Sequence, residues 1–312
     1  MGAGAGTVSD SIMVMKYFVI FFLVLFCLQG ASATAHEVVD QAGRKRAVPD
    51  DPRRIVSLAP NITEMVFFLG EQDRLAGATE YSDYPAAAKK LLRVGSYIRL
   101  DLEKIVSLKP DLCLGIKDGN PLHVVNRIEE LGIPVYVINP TDLNGIIDVV
   151  QRFGDLFDVE AKSRVLVNNM RQRIDKVKRM VAASGTRPRV FFQIDAAPII
   201  SAGENTFIHE LITTAGGRNT ATGSGLYPRY NWEEILVLQP EIAIVASMAG
   251  GHSVEELKAG WYRWPQIPAV ANGRVHVVDA NLIDRPTPRL IEALEIFASI
   301  IHPELFGERS GQ

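Results

Sequence analysis

The chain has 312 residues, 47% hydrophobic and 22% charged, with a formal net charge of −3 and an isoelectric point near 6.1. That length accommodates two globular domains, and a chain with no basic domain lacks the electrostatic footprint that a phosphate backbone requires, so nucleic acid is excluded as a partner. Two cysteines exclude a disulfide-stapled scaffold.

Near the start, Tyr17–Leu28 is an apolar run placed after Lys16 and before Ala31-Ser32-Ala33-Thr34-Ala35. It is shorter than the roughly 20 residues that a membrane span needs, and small residues at alternate positions are what signal peptidase cleaves. Residues 1–35 therefore read as a secretory signal peptide with His36 as the first mature residue. Met13 or Met15 is the better start, because Met15-Lys16 supplies the positive n-region. Cys27 follows Leu25-Phe26 rather than the small residues of a lipobox, so it carries no lipid. The mature chain keeps Cys113 alone, in a strand that reads as buried, and forms no internal disulfide. An exported protein without an anchor fits the periplasm of a double-membraned bacterium.

From His36 to Phe157 the pattern alternates strands and helices. Strands are expected at Arg54–Ala59, Leu75–Glu80, Asp111–Ile116 and Val135–Asn139. Helices are expected at Ile62–Leu69, Leu102–Leu108, after Asn120-Pro121 as far as Gly132, and at Asp142–Phe157. Asn61 and Glu64 form an Asn-x-x-Glu capping pattern for the first of these, and Asp101 caps the second. Alternation of this kind predicts a mostly parallel, doubly wound sheet.

Val159–Ala183 then predicts one amphipathic helix with a stripe at Leu166, Met170, Ile174 or Val177, and Val181. At 1.5 Å per residue it spans roughly 35–40 Å, about the width of a domain. After Gly185-Thr186-Arg187-Pro188 the alternation restarts, with strands at Arg189–Ile194, Ile199–Ala202, Glu241–Ser247 and Arg274–Asp279. Helices are expected at Thr206–Ala215, Trp232–Leu238, Ser253–Ala259 and Pro288–Ile301. Leu102–Leu114 and Trp232–Ile244 share the pattern x-E-x-I-x-x-L-x-P-[DE]-[LI]-x-[LI], a helix stopped by proline and followed by a buried strand. The fold class is α/β: two related lobes, 36–157 and 186–312, joined by a linking helix at 158–185. In such sheets the ligand site lies outside the carboxyl ends of the strands, here facing one cleft.

Enzyme signatures are absent: no G-x-S-x-G elbow, P-loop or H-E-x-x-H occurs, and the six histidines show no metal-ligand spacing. No resident metal or cofactor is expected. Aromatic residues instead collect in loops of both lobes: Tyr81 and Tyr84, Tyr97, and Tyr227, Tyr230 and Trp232. Such rings give a cleft broad apolar walls with polar tips, suited to a large, flat, partly polar molecule. Pro286 and Pro288 stiffen the loop that would present Arg285 to the cleft, whereas Arg289 reads as a surface or helix-end charge.

With Arg54–Glu64, Tyr81–Pro85, Leu102–Leu114, Ser201–Gly203 and Arg285–Arg289 assembled, the mature chain resembles the periplasmic binding proteins of ABC importers for cobalamin and iron chelates, and among them the cobalamin branch. The resemblance implies that Tyr81 packs on a corrin, that Tyr97 and Tyr227 stand where other members carry Trp, and that Arg285 makes a polar ligand contact. Ile116 departs from an expected aromatic, and Asn281 falls near an expected Asp. The resemblance thus implies a monomeric, non-catalytic receptor for a corrinoid that docks on a membrane ABC permease. A ferric-siderophore or haem receptor is the alternative. A chelatase-like enzyme would need a His and carboxylate pair in the cleft. Glu103 and Glu233 occupy the same repeat position; an acid there is favoured by the helix dipole alone, by about 0.3–1 kcal/mol. Their matched placement, with the resemblance, implies a pair that meets arginines on the two permease subunits.

Overall fold

The structure is a computed structural model and describes residues 34–196, 198–223, 225–247 and 253–307. Residues 1–33 of the expected signal peptide lie outside the described residues. The chain opens with an antiparallel hairpin, β1 (Ala35–Val39) and β2 (Lys45–Pro49). Asp40, 2% exposed, organises its turn by accepting from the Ala42 and Arg44 amides and from the Arg44 guanidinium. The expected cleavage after Ala35 leaves every pair from His36↔Val48 onward in place.

The N-terminal lobe follows as β3 (Ile55–Ser57), α1 (Pro60–Phe68), β4 (Leu75–Ala78), β5 (Leu92–Arg93), a small hairpin of β6 (Gly95–Ser96) and β7 (Arg99–Leu100), α2 (Leu102–Ser107), β8 (Leu112–Ile116), α3 (Leu122–Glu130), β9 (Val135–Ile138) and α4 (Leu143–Leu156). Its five-stranded sheet has the order β5-β4-β3-β8-β9 and is parallel throughout. Alternate strand residues enter different cores. Ile55, Leu112, Leu114, Tyr136 and Ile138 face one cluster, while Val56, Cys113, Val135 and Val137 face another. Burial on both faces is why these strands read as unbroken apolar runs. It also pushes the Cys113 thiol up, out of reactive range.

The expected cap of the first helix is not formed. α1 begins at Pro60 with Ala59 as N-cap and no side-chain cap bond. Proline at the first position has no N–H to satisfy and a preset φ, so Asn61 lies within the helix and the Glu64 carboxylate is free for another partner.

The linking helix α5 (Glu160–Ala182) has 23 residues, about 34 Å. Its buried stripe is Ser163, Val167, Met170, Ile174 and Val177, a shift from the expected Leu166 and Val181, which are only partly buried. Two neighbours cause the shift. α4 packs on one side, where a Cβ on Gly154 would collide with Ser163 Oγ, so close approach requires glycine there. On the other side Arg173 donates twice to the Glu295 carboxylate, both bonds 2.9 Å. One hydrophobic cluster therefore runs from Phe153 and Phe157 through Met170 and Ile174 to Leu294 and Phe297, tying both lobes to the strut.

The C-terminal lobe contains β10 (Arg189–Gln193), β11 (Asp195–Ala196), β12 (Ile199–Ile200), α6 (Phe207–Thr214), β13 (Arg218–Asn219), β14 (Arg229–Tyr230), α7 (Trp232–Leu238), β15 (Ile242–Ser247), α8 (Val254–Tyr262), α9 (Pro268–Ala271), β16 (Val275–Asp279), α10 (Ala280–Ile283), α11 (Leu290–Ile301) and α12 (Pro303–Phe306). Its parallel sheet has the order β13-β10-β15-β16. The expected strand at Ile199–Ala202 is shorter and joins a separate antiparallel sheet, β11-β12-β14.

The internal repeat extends to backbone conformation and hydrogen bonding. Lys109 (φ 47°) and Gln239 (φ 46°) both end their helices in the left-handed region before a proline. Asp111 accepts from the Arg54 amide at 3.0 Å, and Glu241 from the Arg189 amide at 2.8 Å. The same two arginines return their guanidinium groups to the helix C-termini, at Leu108 O and Gln239 O. The two lobes are copies of one plan.

Candidate functional site

Loops at the carboxyl ends of the strands enclose a cavity of about 480 Å³ between the lobes, within the range of small-molecule sites. The N-terminal lobe supplies Ala59, Pro60 and Asn61 after β3, Tyr81 after β4, Tyr97 from the β6–β7 turn, Ile116 at the end of β8 and Asp118 after it. The C-terminal lobe supplies residues 205–207, Leu226, Tyr227, and Asp284, Arg285 and Pro286. All four residues expected to meet the ligand, Tyr81, Tyr97, Tyr227 and Arg285, thus border one space. Tyr81 and Tyr227 are 59% and 55% exposed, so their rings have unoccupied faces. Ile116 lines the wall where an aromatic was expected.

Three expected aromatics are elsewhere. Tyr230 and Trp232 pack on the core of the C-terminal lobe beside Phe191, Trp261 and Trp264. Tyr84 lies beneath Arg289, whose guanidinium is 3.9 Å from the ring centroid.

The walls are held by buried polar groups. The helix expected after Asn120-Pro121 is α3, with Pro121 as its N-cap, and the Asn120 side chain bridges three loops. It donates to Leu58 O at 2.8 Å and to Tyr97 O at 2.9 Å, and accepts from the Ile116 amide at 2.8 Å. Beneath Tyr81, the Thr63 hydroxyl contacts Ser57 and Ser82, and Ser82 contacts Thr79, all within 3.1 Å. Arg93 donates to Thr79 O and Ser82 O. The loop carrying Tyr81 is therefore fixed before any ligand arrives, which lowers the ordering cost of binding.

Arg285 reaches across the cleft. Its Nη1 donates to Glu64 Oε1 at 2.9 Å and to Asp83 Oδ1 at 2.8 Å, and Nη2 to Asn281 Oδ1 at 3.4 Å. Arg289, expected as a surface or helix-end charge, is the N-cap residue of α11, but its side chain is only 14% exposed and stands 3.6 Å from Glu64 Oε2. Burial pushes the Glu64 carboxyl up against the pull of both arginines. At Asp83 burial also acts upward, but Arg285 outweighs it and holds that carboxyl below its usual range.

Asp284 is different: it opens on the cavity between low-dielectric walls that push its carboxyl up to about 6, with Arg285 opposing and Asp279 adding. A carboxyl raised in the folded state contributes stability that is complete below its ordinary value of 3.8 and is lost as pH rises through about 6. The charged form therefore burdens the fold at pH 7.5. Asp284→Asn is expected to raise the melting temperature at pH 7.5 but not at pH 4; an equal gain at both would contradict this.

Among the described residues no group of three or more His, Cys, Asp or Glu side chains could hold a metal, and the described lining of the cavity includes no histidine. No helix there is long and apolar enough to cross a membrane. Glu103 and Glu233 are exposed in the first turns of α2 and α7. Asp101 caps α2, and Asn231 with Glu234 forms a capping box on α7. Neither Glu103 nor Glu233 forms an ion pair or side-chain hydrogen bond with the described residues.

The family profile described as "Periplasmic binding protein" matches residues 55–282. The chain belongs to the periplasmic binding protein family. Within it, the vitamin B12-binding protein of Vibrio cholerae serotype O1 is 32% identical over 253 residues, 80% of this chain and 89% of the relative. The crystal structure of the Vibrio cholerae periplasmic vitamin B12 binding protein superposes with a TM-score of 0.69 and 30% identity, covering 81% of this chain and 98% of that one. A periplasmic haem-binding protein from Pseudomonas aeruginosa gives a TM-score of 0.72 at 27% identity, covering 81% and 94%. These relatives are named as binding proteins, and they share the two-lobed α/β plan of this periplasmic binding protein.

Proposed function

We propose that this protein is an exported, monomeric receptor that captures a corrinoid in the cleft and delivers it to an ABC permease. The observation that carries the reading is the convergence of Tyr81 and Tyr97 from one lobe with Tyr227 and Arg285 from the other on a single cavity. Rings from both sides sandwich a flat macrocycle, and the rim groups meet its polar periphery. The similarity to vitamin B12-binding proteins favours a corrinoid over haem or a ferric siderophore. A chelatase-like activity has no His and carboxylate pair to support it among the described lining residues. Export proceeds through the 1–35 leader, and an intact mass beginning at His36 checks that step.

Calorimetric titration with cyanocobalamin, cobinamide, haemin and ferric siderophores tests the ligand. A corrinoid is expected to bind most tightly, at one per chain; tighter binding of haemin or a siderophore transfers the protein to the alternative class. Tryptophan emission is a poor reporter of direct contact, since none of Trp232, Trp261 and Trp264 lines the cavity.

Delivery uses Glu103 and Glu233. Both are exposed and uncommitted, and their backbones occupy equivalent places in the two lobes, so they offer a pseudo-symmetric acidic pair to a two-subunit permease. Interfacial charges mainly set orientation and association rate. Replacing both by Ala is expected to leave ligand affinity unchanged and to impair uptake at native expression; normal transport by that variant would return both acids to helix-end duty.

A further inference from the structure

Among the described residues, three charged side chains border the cavity: Asp118, Asp284 and Arg285. The charge of Arg285 is already answered, because Glu64 and Asp83 both accept from it, and Arg289 completes a set of two cations and two carboxylates. Among the described residues Asp118 and Asp284 form no salt bridge or side-chain hydrogen bond. The cavity thus has two uncommitted carboxylates and no uncommitted cation among its described lining residues. Asn61, on the same wall and 4% exposed, has an Nδ2 without a hydrogen-bond partner. A ligand rimmed by carboxamides answers both needs, its N–H groups donating to the aspartates and its C=O group accepting from Asn61. A ring of similar size rimmed by carboxylates meets like charge in a partly desolvated space.

We propose that Asp118 and Asp284 set the charge selectivity of the cleft, admitting a macrocycle with a carboxamide rim and rejecting one with a carboxylate rim. This rests on the reading of the cleft as a macrocycle site. The aromatic walls stack on either ring, so discrimination falls to the rim.

Matched pairs test it: cyanocobalamin against its monocarboxylic acid derivatives, and haemin dimethyl ester against haemin, titrated calorimetrically at pH 7.5 into wild type and D118N/D284N. In wild type the uncharged-rim member of each pair that binds is expected to bind at least about tenfold more tightly. In the double variant the ratio falls below about threefold, through a gain for the carboxylate member, and 0.5 M salt narrows the wild-type ratio in the same direction. Ratios that are the same in wild type and variant overturn the proposal, whichever ring is preferred. If the corrinoid pair does not bind, the corrinoid reading falls and the porphyrin pair alone decides the role of the aspartates. Failure of both pairs to bind wild type overturns both.

Discussion

Replacing Glu64 by Ala is expected to destabilise the protein by about 3–5 kcal/mol, the usual cost of removing one partner from a buried ion pair. The Glu64 side chain is 0% exposed and lies between Arg285 and Arg289, each 14% exposed. Its loss leaves Arg289 with the Tyr84 ring and the Asn281 carbonyl at 3.5 Å, and leaves Arg285 with the Asn281 amide oxygen and with Asp83, which is 47% exposed. The arginines belong to the C-terminal lobe and Glu64 to α1 of the other, so the same change weakens the cross-cleft network to its Arg285–Asp83 pair. Glu64→Gln keeps an acceptor at Oε1 and is expected to cost less. Urea unfolding measures both; a loss below about 1 kcal/mol for the Ala variant would show that the cross-cleft network contributes little.

Phe153→Ala is the second large effect, also about 3–5 kcal/mol, the range for truncating a buried aromatic side chain. Phe153 is 0% exposed. Its ring stands 5.5 Å from Phe157 and 6.3 Å from Tyr136, centroid to centroid. It occupies the joint where α4 turns back along the linking helix, next to the close approach of Gly154 and Ser163, so little can collapse into the space it leaves. The same unfolding experiment reads it, and a midpoint unchanged from wild type would remove the joint from any account of stability.

Much of this architecture is written locally in the chain. Leu112–Ile116 and Ile242–Ser247 are apolar runs because both sheet faces are covered, and the proline-stopped repeat exposes the kinship of the lobes. Strands of two residues, such as Leu92–Arg93 and Arg218–Asn219, carry no periodicity to read. The β1–β2 hairpin hides because its outward positions are charged and its turn is ordered by a buried Asp40. The linking-helix stripe was legible only approximately, since Ser163 is buried by the fit against Gly154 and not by its own polarity.

The site divides along the same line. Tyr81, Tyr97 and Tyr227 stand out as aromatic residues in loops at strand ends. Glu64 does not, because an acid three residues after Asn61 reads as a helix cap, and the partner that explains it, Arg285, lies 221 positions away. Asn120, Asp118 and Asp284 are ordinary polar loop residues until folding shows which carbonyls Asn120 holds and which carboxylates have no cation. Non-local charge pairing is what local pattern cannot supply.

On the proposed function, a corrinoid binds in the inter-lobe cavity walled by Tyr81 and Tyr227. Calorimetric titration of cyanocobalamin into wild type, Tyr81→Ala and Tyr227→Ala tests it most directly. Each substitution is expected to weaken binding by about 1–3 kcal/mol, roughly 5–150-fold, without lowering the melting temperature of the free protein, since both rings are more than half exposed. Wild-type affinity in both variants would remove the corrinoid from this cavity, and no binding to wild type would overturn the corrinoid receptor itself.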